Sequence, residues 1–225
     1  MDRSAVVMSV SRDGGQKWAH PGVVATARVS GTSLDKNMIL ADPRHAGTVY
    51  AVWSQVNDLG PTQGATEIDF ARSDDYGATW SVPVRMFKGA ETTSQFNQIL
   101  APRDGTLVDV FVESPLLSDV SDPPPAPTMQ LRAVRSTDGG KTWSAPQTIT
   151  SFTYTVASDP LSGGSVRATG QDITAASDHQ GRLYVCWFEV HPSGQSSIWI
   201  ASSGNTGGTW SAPVTVVQRS GDQVF

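Results

Sequence analysis

A chain of 225 residues with a formal charge of −5 and only 16% charged residues offers no Lys/Arg cluster to track phosphates, which argues against a nucleic-acid partner. No apolar run approaches the ~18 residues of a membrane span, and the first residues lack the basic-then-apolar layout of a signal peptide. The 21 glycines and 14 prolines require many turns, as in an all-β protein of short strands.

In chain order, residues 5–10 form an alternating strand that runs into Ser11-Arg12-Asp13-Gly14-Gly15-Gln16-Lys17-Trp18. A short apolar strand at 37–41, a turn at Gly47 and a second strand at 48–55 follow. A third strand at 67–72 then leads to Ser73-Asp74-Asp75-Tyr76-Gly77-Ala78-Thr79-Trp80. The same series recurs: strands at 97–101, 106–113 and 130–135, then Ser136-Thr137-Asp138-Gly139-Gly140-Lys141-Thr142-Trp143. It recurs once more: strands at 171–175, 182–189 and 197–202, then Ser203-Gly204-Asn205-Thr206-Gly207-Gly208-Thr209-Trp210. The tryptophans are 62, 63 and 67 residues apart, so the chain is one supersecondary unit repeated. The lone Cys186 excludes an internal disulfide framework, and its apolar strand implies a buried thiol.

The pattern Ser-x-Asp-x-Gly-x-x-Trp at wide spacing resembles the Asp-box (BNR) repeat of the sialidase-like β-propellers, and the resemblance covers nearly the whole chain. It implies an all-β fold of four-stranded antiparallel blades. The expected division is a half blade at 4–29, full blades at 30–88, 89–150 and 151–218, and the start of a further blade at 219–225. That makes about three and a half blades, a partial ring of a six-bladed propeller. Within each box the carboxylate accepts backbone N–H bonds from the turn, glycine supplies positive φ, and tryptophan packs on the base of its hairpin. Asp13, Trp18, Asp75, Trp80, Asp138, Trp143, Asn205 and Trp210 are thus structural. The adjacent Asp74 and Asp75 supply too few oxygens for calcium, so no metal and no cofactor is expected.

The resemblance places a ligand site on the face away from the boxes, among loops entering the inner strands (30–36, 88–96, 151–170) and loops joining second to third strands (56–66, 114–127, 190–196). Asn37, Asn97 and Gln171 are expected at the heads of three inner strands, either bonding sugar hydroxyls or satisfying one another. Glu113 and Glu189 end equivalent second strands, where Gln55 takes the third place. They suit acid/base work in glycoside hydrolysis or stand as solvated strand ends. Asp35, Tyr154, Arg167 and Asp172 lie in or beside the entering loops. A sialidase of this family needs three arginines on the substrate carboxylate, a tyrosine nucleophile assisted by glutamate, and an aspartic acid. Only Arg167 is placed for an anion, and no Arg-Ile-Pro stretch is present. The expectation is a segment that binds or processes glycans, not catalytic as this chain alone, in an extracellular or surface protein. The rival is a non-catalytic scaffold for protein partners. The uncovered faces of a partial ring imply self-association or the remaining blades of a larger parent.

Overall fold

The computed structural model describes residues 4–27, 30–58, 60, 63–116, 127–153, 161–162, 172–190 and 195–220. Strands β1 (Ala5–Met8) and β2 (Gly22–Thr26) form a two-stranded sheet. Strands β3 (Thr32–Ala41), β4 (Val49–Asn57), β5 (Thr66–Ser73) and β6 (Val84–Lys88) form a four-stranded one in sequence order. So do β7 (Thr92–Leu100), β8 (Leu107–Pro115), β9 (Thr128–Ser136) and β10 (Gln147–Thr153). The last sheet is β11 (Ile173–Ser177), β12 (Leu183–Val190), β13 (Gln195–Ser203) and β14 (Val214–Ser220). Every pairing is antiparallel, and no helix occurs among the described residues. The first strands β3, β7 and β11 lie side by side, as the innermost strands of propeller blades do.

The cores lie between sheets, because each sheet is apolar on both faces. Tyr50, Val52, Ile68, Phe70 and Met86 of one blade close against Ile99, Leu107, Phe111 and Val134 of the next. A second layer joins Val108, Val110 and Leu131 to Leu183, Val185 and Trp187. A third joins Val6 and Val24 to Ala51, Trp53 and Ala71.

One bulge recurs in all four sheets. The register between third and fourth strands slips at Val6/Val7, Ile68/Asp69, Leu131/Arg132 and Ile198/Trp199. Val24, Met86, Ile149 and Val216 are left as the extra residues, spaced like the box tryptophans. Such a bulge sharpens the twist of the outer strand, and here it aims an apolar side chain at the following blade. Met86 and Ile149 join the core clusters there.

Two expectations need correction and one is extended. The tryptophans do stay on their own box turns, Trp18 Nε1 and Trp143 Nε1 donating to the Gly15 and Gly140 carbonyls at 3.0 and 3.2 Å, but in the full blades they also reach the preceding blade. Trp143 meets Phe70 edge-on at 5.3 Å, and Trp80 and Trp210 join the cores shared with the sheets before theirs. Segments 32–36 and 92–96 are not loops. Each is the polar first half of an inner strand, beyond a bulge where Lys36 and Phe96 take positive φ (50° and 61°). Asn37 and Asn97 therefore sit within their strands rather than at the heads.

Candidate functional site

The box hairpins occupy one face, together with the turns from first to second strands. Each box is closed by the same bonds. The serine hydroxyl donates to the Asp or Asn oxygen two residues on: Ser11 to Asp13 at 2.9 Å, Ser73 to Asp75 and Ser136 to Asp138 at 2.8 Å, Ser203 to Asn205 at 3.0 Å. The same hydroxyl accepts from the glycine N–H two residues further (2.8–2.9 Å). The Asp or Asn oxygen then accepts the N–H of Lys17, Thr79, Thr142 or Thr209 (2.8–2.9 Å). The Thr79 hydroxyl beside Asp75 holds its carboxyl down at about 2, and the Thr142 hydroxyl lowers Asp138 likewise. In the fourth box the last bond reverses: Asn205 Nδ2 donates to Thr209 Oγ1 at 3.0 Å.

Adjacent Asp74 and Asp75 diverge. Asp74 takes bonds from Arg72 and Thr48 (2.8 and 2.9 Å), while Asp75 stays in its turn. The boxes therefore spend their polarity internally. Asp138→Ala is expected to lower the melting temperature, whereas Asp138→Asn, imitating Asn205, retains most of it; thermal melts at pH 7 check this. Because these carboxyls are depressed, their contribution is present above the unfolded carboxylate pKa and lost as pH falls through the folded value.

A second polar turn was missed in the sequence. Asp42 accepts from Tyr50 OH at 2.6 Å, Arg44 N at 2.8 Å and Arg44 Nη2 at 3.0 Å. Asp178 likewise takes Tyr184 OH at 3.1 Å and Arg182 N at 2.9 Å. The readable signal was an aspartate before Gly-x-x-Tyr in both copies (Gly47 to Tyr50, Gly181 to Tyr184). Burial and the bond to Asp42 push the Tyr50 phenol up to about 12.

On the opposite face a cleft of about 450 Å³ is lined by Thr32, Gln55, Asn57, Thr66, Glu67, Lys88 and Glu91. The ends of β4 and β5 supply its wall, and residues 88–91, leading into the next blade, supply its rim. Glu67 is paired with Arg85 and with Lys88 Nζ (2.8 Å). Below it, Ser54 Oγ and Thr66 Oγ1 donate to the Ser94 carbonyl at 2.9 and 2.8 Å. This ties the two blades beneath the cleft.

Glu113 accepts from Thr92 Oγ1 at 2.7 Å and is paired with Arg132, whose guanidinium lies 5.7 Å over the Phe87 ring of the preceding blade. Glu189 accepts from Trp187 Nε1 at 2.7 Å. Gln55, Glu113 and Glu189 share one register position, opposite Glu67, Gln130 and Ser197. Both glutamates are held by their own blades in positions suited to shaping a rim. Arg132, Arg85 and Lys88 were not singled out from sequence, although Arg85 and Lys88 interrupt the otherwise apolar run Val84-Arg85-Met86-Phe87-Lys88.

The third amide is not at the position equivalent to the other two. Strand pairing makes Ile173 the equivalent of Asn37 and Asn97. Asn97 is buried and donates to Ser54 Oγ at 3.3 Å, whereas Asn37 is exposed. Asp35 is exposed and bonded to Lys36 N at 2.8 Å and Nζ at 3.0 Å. Asp172 is exposed just before β11. Tyr154, Arg167 and Gln171 lie outside the described residues.

A family model described as BNR/Asp-box repeat matches residues 134–145, the third box. No curated protein matches the chain by sequence. Among solved structures, the Hadza microbial sialidase Hz136 superposes with a TM-score of 0.60 at 18% identity, over 92% of this chain and 39% of its own. An ulvan lyase of polysaccharide lyase family PL25 gives 0.63 at 11% identity, over 96% and 51%. The α-L-arabinanase of Penicillium chrysogenum, complexed with arabinobiose, gives 0.54 at 14%, over 92% and 54%. At such identities the likeness is one of fold, and this chain spans between 39% and 54% of those structures.

Proposed function

We propose, for a chain that is an Asp-box repeat protein with the sialidase-like propeller fold, that it is the glycan-binding part of a glycan-processing propeller, acting outside the cell or at its surface. The carrying observation is the cleft opposite the boxes, where amide, hydroxyl and paired-charge groups line a groove on a braced pair of blades. Gln55 and Asn57 offer both donors and acceptors, as a sugar hydroxyl requires, and loops on a rigid scaffold are the usual seat of such binding.

Catalysis by this chain alone is not part of the reading. Glu113 and Glu189 are both hydrogen-bonded within their own blades, and no arginine triad can be assembled from the described residues. The expected outcome is saturable oligosaccharide binding with a Kd on the order of 10⁻⁴–10⁻³ M and no release of sialic acid from a fluorogenic sialoside. A glycan array probed with the chain and with Asn57→Ala checks the first, and a fluorescence assay the second. An array blank at high protein concentration would favour the protein scaffold instead. Turnover abolished by Arg167→Ala would make the chain an enzyme.

A further inference from the structure

The cleft at the ends of β4 and β5 holds one buried acceptor with nothing to accept. Gln55 lines it and is only 7% exposed, and its Oε1 has no hydrogen-bond partner among the described residues. The repeat sharpens the contrast. Glu113 and Glu189 take the same register position in the next two blades. Each has an oxygen engaged at 2.7 Å, by the Thr92 hydroxyl and by Trp187 Nε1. A buried acceptor left unmet costs free energy, so Gln55 Oε1 calls for a donor on whatever fills the cleft.

The surrounding charges disfavour an acid in that place. Lys88 Nζ lies 2.8 Å from Glu67 Oε1, and Arg85 is paired with Glu67 as well. The Glu67 side chain is only 18% exposed, so drawing Lys88 onto a ligand carboxylate would strand a largely buried anion. On the rim, Glu91 is exposed and forms no ion pair among the described residues. An incoming carboxylate or sulfate would meet no spare cation, one surplus anion, and an acceptor it cannot satisfy, since an ionised acid only accepts. A sugar hydroxyl both donates and accepts.

On the reading of this cleft as the glycan site, we infer that it selects uncharged sugars: a ligand hydroxyl donates to Gln55 Oε1, and Glu91 turns acidic sugars away. The paired cations Lys88 and Arg85 shape the wall without gripping a charge. Specificity then comes from a repulsive group as much as from an attractive one.

Calorimetric titration of the chain tests this, with cellotriose and xylotriose as neutral probes and trigalacturonate and sialyllactose as acidic ones. A neutral probe is expected to bind at least about tenfold more tightly than either acidic one, with an affinity that added salt leaves unchanged. Gln55→Met should weaken that binding about tenfold. Glu67→Gln, which frees Lys88 and Arg85, should raise the affinity for trigalacturonate several-fold at low salt, a gain that salt removes. Glu91→Lys, a change at an exposed position, should do the same and keeps the test sound if Glu67→Gln fails to fold. Acidic probes that bind the parent as tightly as neutral ones, yet lose affinity in Gln55→Met, would overturn the selectivity and leave the cleft a glycan site. No gain for trigalacturonate in a folded Glu91→Lys would also overturn it. No binding of any probe would remove the selectivity and the glycan site together.

Discussion

Gly140→Ala is expected to cost about 3 kcal/mol or more of folding stability, the largest loss from any single methyl added to a box. Gly140 has φ +89°, where a side chain costs roughly 1–2 kcal/mol. A Cβ there would come within 2.1 Å of Phe70 Cε1 and 2.4 Å of Cζ. Phe70 cannot yield, because it is buried and wedged between Tyr50 at 5.8 Å and Trp143 at 5.3 Å. Overpacking of that kind adds about 1–3 kcal/mol. Gly14, at φ +72° with nothing within 4 Å, isolates the backbone part, so Gly14→Ala should cost only about 1 kcal/mol. Urea titrations of both variants check the difference. Introducing Gly140→Ala into a Phe70→Leu background should recover part of the loss, the coupling a double-mutant cycle measures. Equal costs at the two glycines would mean that the box does not press on the neighbouring blade.

Asp109→Val is expected to stabilise the protein by about 2 kcal/mol or more at pH 7. Asp109 is fully buried in β8, paired in register with Ile99 and Val134 among the apolar side chains of two blades. Neither carboxyl oxygen has a hydrogen-bond partner among the described residues. Burial therefore pushes its pKa well above the ordinary carboxylate value. The equivalent positions in the other full blades are Ala51 and Val185, both buried, so the site accepts an aliphatic side chain.

The unfolded chain ionises Asp109 first and binds fewer protons than the native state, so this group makes stability fall as pH rises above the unfolded pKa. The advantage of the variant should thus shrink on acidification from pH 7 to 4, by up to about 1.4 kcal/mol per unit where only the unfolded state is ionised. The box carboxylates titrate in the opposite sense, but they are common to both proteins and cancel in the difference. Asp109→Asn, which leaves a neutral polar group buried, should gain less. A Val variant no more stable than the parent at pH 7 would contradict the burial of an unpaired acid.

The boxes were legible because everything that closes them lies within eight residues: serine, Asp or Asn, glycine and tryptophan sit at fixed offsets, and their bonds are local. Second and third strands were legible from alternation. The first halves of β3 and β7 were not, because Thr32, Ser33, Thr92, Thr93 and Ser94 read as loop. Several of these polar groups are satisfied across blades, as in the bonds from Thr93 Oγ1 to the Gly64 carbonyl and from Ser54 Oγ to the Ser94 carbonyl.

The third amide was misplaced for a related reason. The turn of blade one runs from Asp42 to Thr48, whereas blade three turns between Ser177 and Leu183. Carrying the longer turn over shifted the inner strand by two residues. The second contact of the tryptophans in the full blades was hidden too, since it lies in the preceding blade, as with Phe70 and Trp143, 73 residues apart. The cleft shared that difficulty, because its wall and rim come from strand ends far apart in sequence.

Backbone amide shift mapping by NMR, with an oligosaccharide taken from the array titrated into the chain, tests the functional reading most directly. The account predicts saturable shifts clustered at Gln55, Asn57, Glu67, Lys88 and Glu91, with the box turns around Asp75 and Asp138 unmoved. Shifts confined to the box face, or none for any glycan, would contradict it.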